Sequence, residues 1–208
     1  MAAAAMAKPE KKHNFHEISK IRDVERLITK WFGSSAVSFP WDSIRIFINL
    51  HDTVIINVGL LEILGDSIKP HFRGPPKNIR VHTPGKPDFL ARYSTCDVDT
   101  VPIIQHLRKL GIQITFVTGR PESEKDNVLK LLAEFDLKEF AVICTGNLPK
   151  GPLVKRLFEQ KSALTVIIDD QIESIESYVG PNAFTESEVL LVKYVPYELF
   201  VGYGTPTI

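Results

Sequence analysis

Apolar residues near the start of the chain recur at Ile21, Val24, Leu27, Ile28, Trp31 and Phe32, a spacing of three and four that places them on one stripe of a helix. Ser19 stands where an N-cap belongs, and Gly33 where such a helix stops. The pattern then changes. Residues 44–48 are apolar apart from Arg45, a continuous run that predicts a strand covered on both faces. From residue 99 the two patterns alternate. A helix over 101–109 is closed by Gly111, a strand follows over 112–117, and a helix over 122–135 has Pro121 suited to its first turn. A strand over 141–144, a helix over 152–160, a strand over 164–168, a helix over 172–179 stopped by Gly180 and Pro181, and a strand over 189–192 complete the series. Strands alternating with helices of this length predict an α/β fold, a Rossmann-like parallel sheet with helices on both faces.

Residues 54–98 break that rhythm. Val54 opens an apolar stretch, but Pro70, Gly74, Pro75, Pro76, Pro84, Gly85 and Pro87 exclude a long element. This region predicts a small cap or loop insertion after the first strand of the core, with a hairpin around Asn78 to His82. The chain is therefore expected to divide into a core over 14–53 and 99–208, the insertion over 54–98, and a disordered leader over 1–13. The apolar start of that leader, Met1 to Ala7, is too short for the core of a signal peptide and has no basic residues before it.

Composition narrows the partners. Twenty-five Lys and Arg balance 25 Asp and Glu, so no net field draws the chain to nucleic acid or to an anionic membrane. No apolar run approaches the roughly 20 residues of a membrane span. Cys96 and Cys144 do not make a disulfide framework; Cys144 lies in an apolar run and reads as a buried thiol, which fits a reducing, cytoplasmic compartment. The histidines are scattered without ligand spacing, and there is no paired-cysteine metal pattern, Gly-x-Ser-x-Gly elbow or Walker loop.

In open parallel sheets, ligands gather beyond the carboxyl ends of the strands. Four polar segments fall there: Asn49, His51, Asp52 and Thr53; Thr118 with Gly119 and Arg120; Lys150 in the loop opening a helix; and Asp169 with Asp170. Taken singly, each has a plain structural reading. Thr118 and the two carboxylates read as helix caps, Lys150 as a solvated cation, and Asn49 as a turn residue. Their order along the chain and their strand contexts give them a joint meaning.

That order resembles the four motifs of the haloacid dehalogenase superfamily: a strand-end turn Asp-x-Asp-x-Thr, a strand-end Thr, a loop Lys and a strand-end Asp-Asp. Residues 14–18 leading into a helix, then VTGRPE, PKGPLVKRLF and VIIDDQIESIES, are similar to a branch of that superfamily from intracellular bacterial pathogens that resembles class B acid phosphatases. The likeness covers residues 14–180. It implies a Rossmann-like core with a small cap, and a catalytic carboxylate pair where this chain has Asn49 in the nucleophile position and His51 in the acid/base position. It further implies phosphate binding by Thr53, Thr118, Gly119 and Lys150. Mg2+ would be held by Asp169, Asp170 and residue 49, with the backbone carbonyl of His51, and weakened here because Asn49 offers only a neutral oxygen.

A carboxamide has no anionic oxygen with which to attack phosphorus. The leading expectation is therefore a catalytically impaired, phosphatase-like protein that works by binding, with a protein partner and a phosphorylated ligand as candidates. An alternative is a Mg2+-dependent phosphohydrolase, with Asn49 a deliberate exchange or with His51 and Asp52 running a non-standard reaction. Another is a delivered bacterial effector that works through its surface. That surface would be the aromatic and basic residues His71, Phe72, Arg73, Arg80, His82, Phe89, Arg92 and Tyr93, or the aromatic tail from Tyr194 to Tyr203.

Overall fold

The apolar run at 44–48 lies at the middle of a sheet. A computed structural model of the chain describes residues 14–33, 40–58, 76–82, 87–158 and 162–195. Strand β1 (His16–Ile18) leads into helix α1 (Asp23–Phe32), and a single 3-10 turn, Trp41–Ser43, precedes β2 (Ile44–Asn49). After β3 (Ile55–Asn57), β4 (Lys77–Val81) and β5 (Phe89–Thr95), the chain alternates through α2 (Thr100–Lys109), β6 (Gln113–Thr118), α3 (Lys125–Glu134) and β7 (Ala141–Cys144). Helix α4 (Lys150–Leu157), β8 (Leu164–Asp169), α5 (Ile172–Glu176) and β9 (Val189–Tyr194) follow.

Six strands form one sheet in the order β1-β9-β8-β2-β6-β7, and every neighbouring pair is parallel. The fold is α/β. All six residues of β2 are buried, because β8 and β6 flank it and both sheet faces are covered. Side-chain alternation sorts the core into two layers. Ile44, Ile46 and Ile48 join one apolar cluster with Val24 and Ile28 of α1, Ile104 and Leu107 of α2, and Val128 and Leu131 of α3. Phe47 joins the other, with Val154 of α4, Ile175 of α5, Ile167 and Leu191. Helices thus lie on both faces. Arg45 is buried in β2 because its guanidinium donates to the Gln113 Oε1 and lies 5.2 Å from the centroid of the Phe158 ring.

Several element boundaries differ from expectation. The cap expected at Ser19 falls instead to Arg22, which makes no side-chain cap bond. The cause lies in the sheet: residues 16–18 pair with β9, and Val195 N donates to Ile18 O, so the next residues form a turn before the helix can start. Helix α3 begins at Lys125 because Pro121 is extended, at ψ 156°, and residues Glu122–Glu124 form a 3-10 turn. Helix α4 starts two residues earlier than expected, at Lys150. Helix α5 ends at Glu176, short of the expected 179.

The hairpin expected around Asn78 to His82 is part of a larger arrangement. Strands β3, β5 and β4 form a second, antiparallel sheet in that order. Ile79, Val81, Ala91 and Tyr93 are buried and join the cluster that includes α1 and α3. Asn127 of α3 extends this packing by accepting from His82 N and donating to His82 O. His71, Phe72, Arg73, the leader and the tail beyond Val195 lie outside the described residues. No helix among the described residues is long and apolar enough to cross a membrane.

Candidate functional site

Strand β2 has β8 on one side and β6 on the other, and the chain visits β6 and β7 before returning past β2 to β8 and β9. A reversal of this kind leaves a crevice beyond the carboxyl ends of the central strands. Asn49 ends β2, Thr118 ends β6 and Asp169 ends β8, so the three strand-end residues converge by topology alone. The tight turn after β2 returns the chain within a few residues: Val54 N and Ile55 N donate to Leu50 O, and Asp52, at φ 62°, donates its N–H to Ile55 O.

The Asn49 side chain is buried and bonded at both ends. Its Oδ1 accepts from Lys150 Nζ at 3.0 Å. Its Nδ2 lies 2.6 Å from the His51 carbonyl oxygen and 2.6 Å from Asp170 Oδ1, with Thr53 Oγ1 at 3.4 Å. The chemistry of these partners fixes the orientation of the amide, since the reverse rotamer would set oxygen against two acceptors and nitrogen against an ammonium. Thr53, fully buried, donates its hydroxyl to Asp170 Oδ1 at 3.0 Å. Lys150 also donates to Asp169 Oδ2 at 2.7 Å, and the Gln171 N–H reaches Asp169 Oδ1 at 3.1 Å. Burial pushes the Asp169 carboxyl above its usual range, and the Lys150 ammonium opposes that shift.

His51 belongs to a second part of the same network. Arg120 donates from Nε to His51 Nε2 at 3.1 Å, so the ring proton sits on Nδ1, 3.1 Å from Thr118 Oγ1. Burial, then Arg120, then Lys150 lower the His51 pKa to about 3, so the ring is neutral at physiological pH. The rest of the Arg120 guanidinium is held by Glu124 Oε2 at 2.6 Å and by the Tyr93 hydroxyl at 3.2 Å. Thr145 ties the end of β7 to this corner through its N–H and hydroxyl, both donated to Thr118 O.

The structure therefore brings Asn49, His51, Thr53, Thr118, Lys150, Asp169 and Asp170 into one hydrogen-bonded cluster. Gly119 lies beside it, but a Cβ there would meet its nearest neighbour, Gly146 O, at 3.8 Å, so the space does not demand glycine. Asp52 is exposed and makes none of these hydrogen bonds. Arg120, Glu124 and Tyr93 have no assigned role in the motif resemblance. Arg120 had a sequence signal, a cation directly after a strand-end Thr-Gly. Tyr93, expected on an exposed interaction surface, is instead buried at 3% exposure, because the packing of the second sheet turns it inward to this site.

The oxygens that the resemblance gives to Mg2+ already accept protons from the protein. Mg2+ takes hard oxygen ligands in near-octahedral order. Here the His51 carbonyl and Asp170 Oδ1 both face the Asn49 NH2 group, and both oxygens of Asp169 are engaged. Among the described residues, every buried side-chain nitrogen and oxygen has a partner. As arranged, these residues do not fit the metal.

No protein-family profile matches the chain, and no curated protein does either. Among solved structures, it is similar to Fcp1, an essential RNA polymerase II CTD phosphatase, at 18% identity and a TM-score of 0.47, over 76% of this chain and 43% of that one. The fission yeast Fcp1 bound to beryllium fluoride gives 17% identity and a TM-score of 0.47, over 88% of this chain and 46% of that one. The chain spans less than half the length of either, and with scores this low the α/β assignment rests on the sheet itself.

Proposed function

We propose that this chain is a phosphatase-like α/β protein that has given up phosphoryl transfer and acts by binding, with another protein as partner and the second sheet as its cap. One observation supports this most: both positions that the motif resemblance makes catalytic hold groups already committed to the protein. At residue 49 a neutral amide has its oxygen on Lys150 and its nitrogen on His51 O and Asp170, leaving no anionic oxygen for attack on phosphorus. At residue 51 a neutral imidazole has its Nε2 lone pair on Arg120, and a pKa of about 3 is far from the value near 7 that suits a general acid or base.

Thr118, the backbone at Gly119 and Lys150 remain as donors for a phosphorylated ligand, which would compete with Asn49 and Asp169 for the ammonium. Phe89 and Leu90, adjacent on β5 and 53% and 67% exposed, offer apolar surface for a protein partner.

The test is phosphate release from aryl phosphates with Mg2+. The unmodified chain is expected to stay at background, and a normal enzyme rate would refute the reading. In the Asn49→Asp, His51→Asp double variant, turnover at least ~10²-fold above the parent would mean that the cluster still accommodates a phosphoryl group. Silence in both proteins would place the function on the surface.

A further inference from the structure

We infer that the Asn49 carboxamide stands in for a divalent cation, so that the single isosteric change Asn49→Asp turns a metal-independent cross-link into a metal site. The inference concerns the stability of the site, not its turnover, and so goes beyond the functional reading above.

It rests on what surrounds Nδ2. Two acceptor oxygens, the His51 carbonyl and Asp170 Oδ1, each lie 2.6 Å from this nitrogen, and Thr53 Oγ1 lies at 3.4 Å. They come from the turn after β2 and from the residue after β8, so the amide joins two parts of the chain 121 residues apart. The NH2 group supplies a hydrogen to each of the two close oxygens. It thereby does what a cation does for converging oxygens, without requiring one. Lys150 holds the other end and fixes which atom faces inward.

Replacing the amide by a carboxylate keeps the shape and removes both hydrogens. A carboxylate oxygen would then face a carbonyl and a second carboxylate at hydrogen-bonding distance with no proton between them. In a buried setting such a cluster is unfavourable. Two anionic oxygens, a carbonyl and the Thr53 hydroxyl are hard donors of the kind Mg2+ selects. The three groups that the amide satisfies in this chain, joined by the new carboxylate at residue 49, would demand the cation in the variant.

Thermal denaturation of both proteins tests this, in a chelator and in millimolar MgCl2. The parent chain should melt at the same temperature in both buffers and give no binding heat with MgCl2. Asn49→Asp should melt lower than the parent in chelator and rise by roughly 5–10 °C at about a hundredfold excess of Mg2+ over Kd. Adding Asp170→Asn to that variant should abolish the rise. A parent chain that binds or is stabilised by MgCl2 overturns the inference. So does an Asn49→Asp protein indifferent to the metal, or one that folds in neither buffer, since the cation was to restore it.

Discussion

The His51 imidazole shows how strongly surroundings override residue type. In the folded chain its pKa is about 3, and in the unfolded chain it returns to the ordinary 6.5. Between those values the native state binds fewer protons than the unfolded state, so acidification favours unfolding. Stability should fall as pH drops from about 6.5 towards about 3, by up to ~1.4 kcal/mol per pH unit from this group. Asp169 acts in the opposite sense. Its carboxyl is raised by burial, so the native state takes up that proton first and acid relieves its cost. Comparison with His51→Gln separates the two: the stability difference between parent and variant should shrink as pH falls below about 6.5, measured by urea denaturation across pH. A difference independent of pH would mean that His51 is not held neutral. At this scale the sequence set Asn49 at a strand end and Lys150 in a loop opening a helix, and the structure brings the two side chains within 3.0 Å. The sequence was silent on the His51 tautomer, which Arg120 decides from a separate strand end.

Elements impose demands that no single side chain reveals. Gly151, the second residue of α4, would place a Cβ 1.9 Å from Ser177 O and 2.4 Å from the Tyr178 Cα, both backbone atoms that cannot swing aside. This close approach of α4 to the end of α5 positions Lys150 at the crevice, and the Gly151 N–H donates to Ser177 Oγ. Gly151→Ala should therefore cost about 1–3 kcal/mol, as overpacking does, in chemical denaturation. It should also weaken the Lys150 to Asp169 pair. A neutral effect would mean the two helices part easily. The boundaries that the hydrophobic pattern misjudged have similar causes. Ile21 has helical spacing yet precedes α1, because β1 must first reach β9, and three paired residues carry too little pattern to announce a strand.

Across the whole molecule, Arg120 connects the two sheets to the site: it contacts His51 after β2, Glu124 before α3 and Tyr93 on β5. Arg120→Ala should loosen the antiparallel sheet, with amide hydrogen exchange rising in β4 and β5 while β2 and β8 stay protected. Tyr93→Phe, which removes one hydrogen bond worth about 0.5–1.5 kcal/mol, should do the same more weakly. Equal exchange in parent and Arg120→Ala would mean that apolar packing alone, through Ile79, Val81 and Ala91, holds that sheet. The second sheet was only partly legible, as a hairpin, because Pro and Gly mark breaks in a chain but not which short strands pair across them. The alternation of strands and helices, and hence an α/β sheet with polar residues at strand ends, was readable from local pattern, because burial imposes periodicity along the chain. Only the folded packing makes the Asn49 amide satisfy the oxygens expected to hold a cation, and only there do burial first, then Arg120 and Lys150, keep His51 neutral. Those outcomes depend on distances of about 3 Å between residues far apart in the chain, which no local pattern encodes.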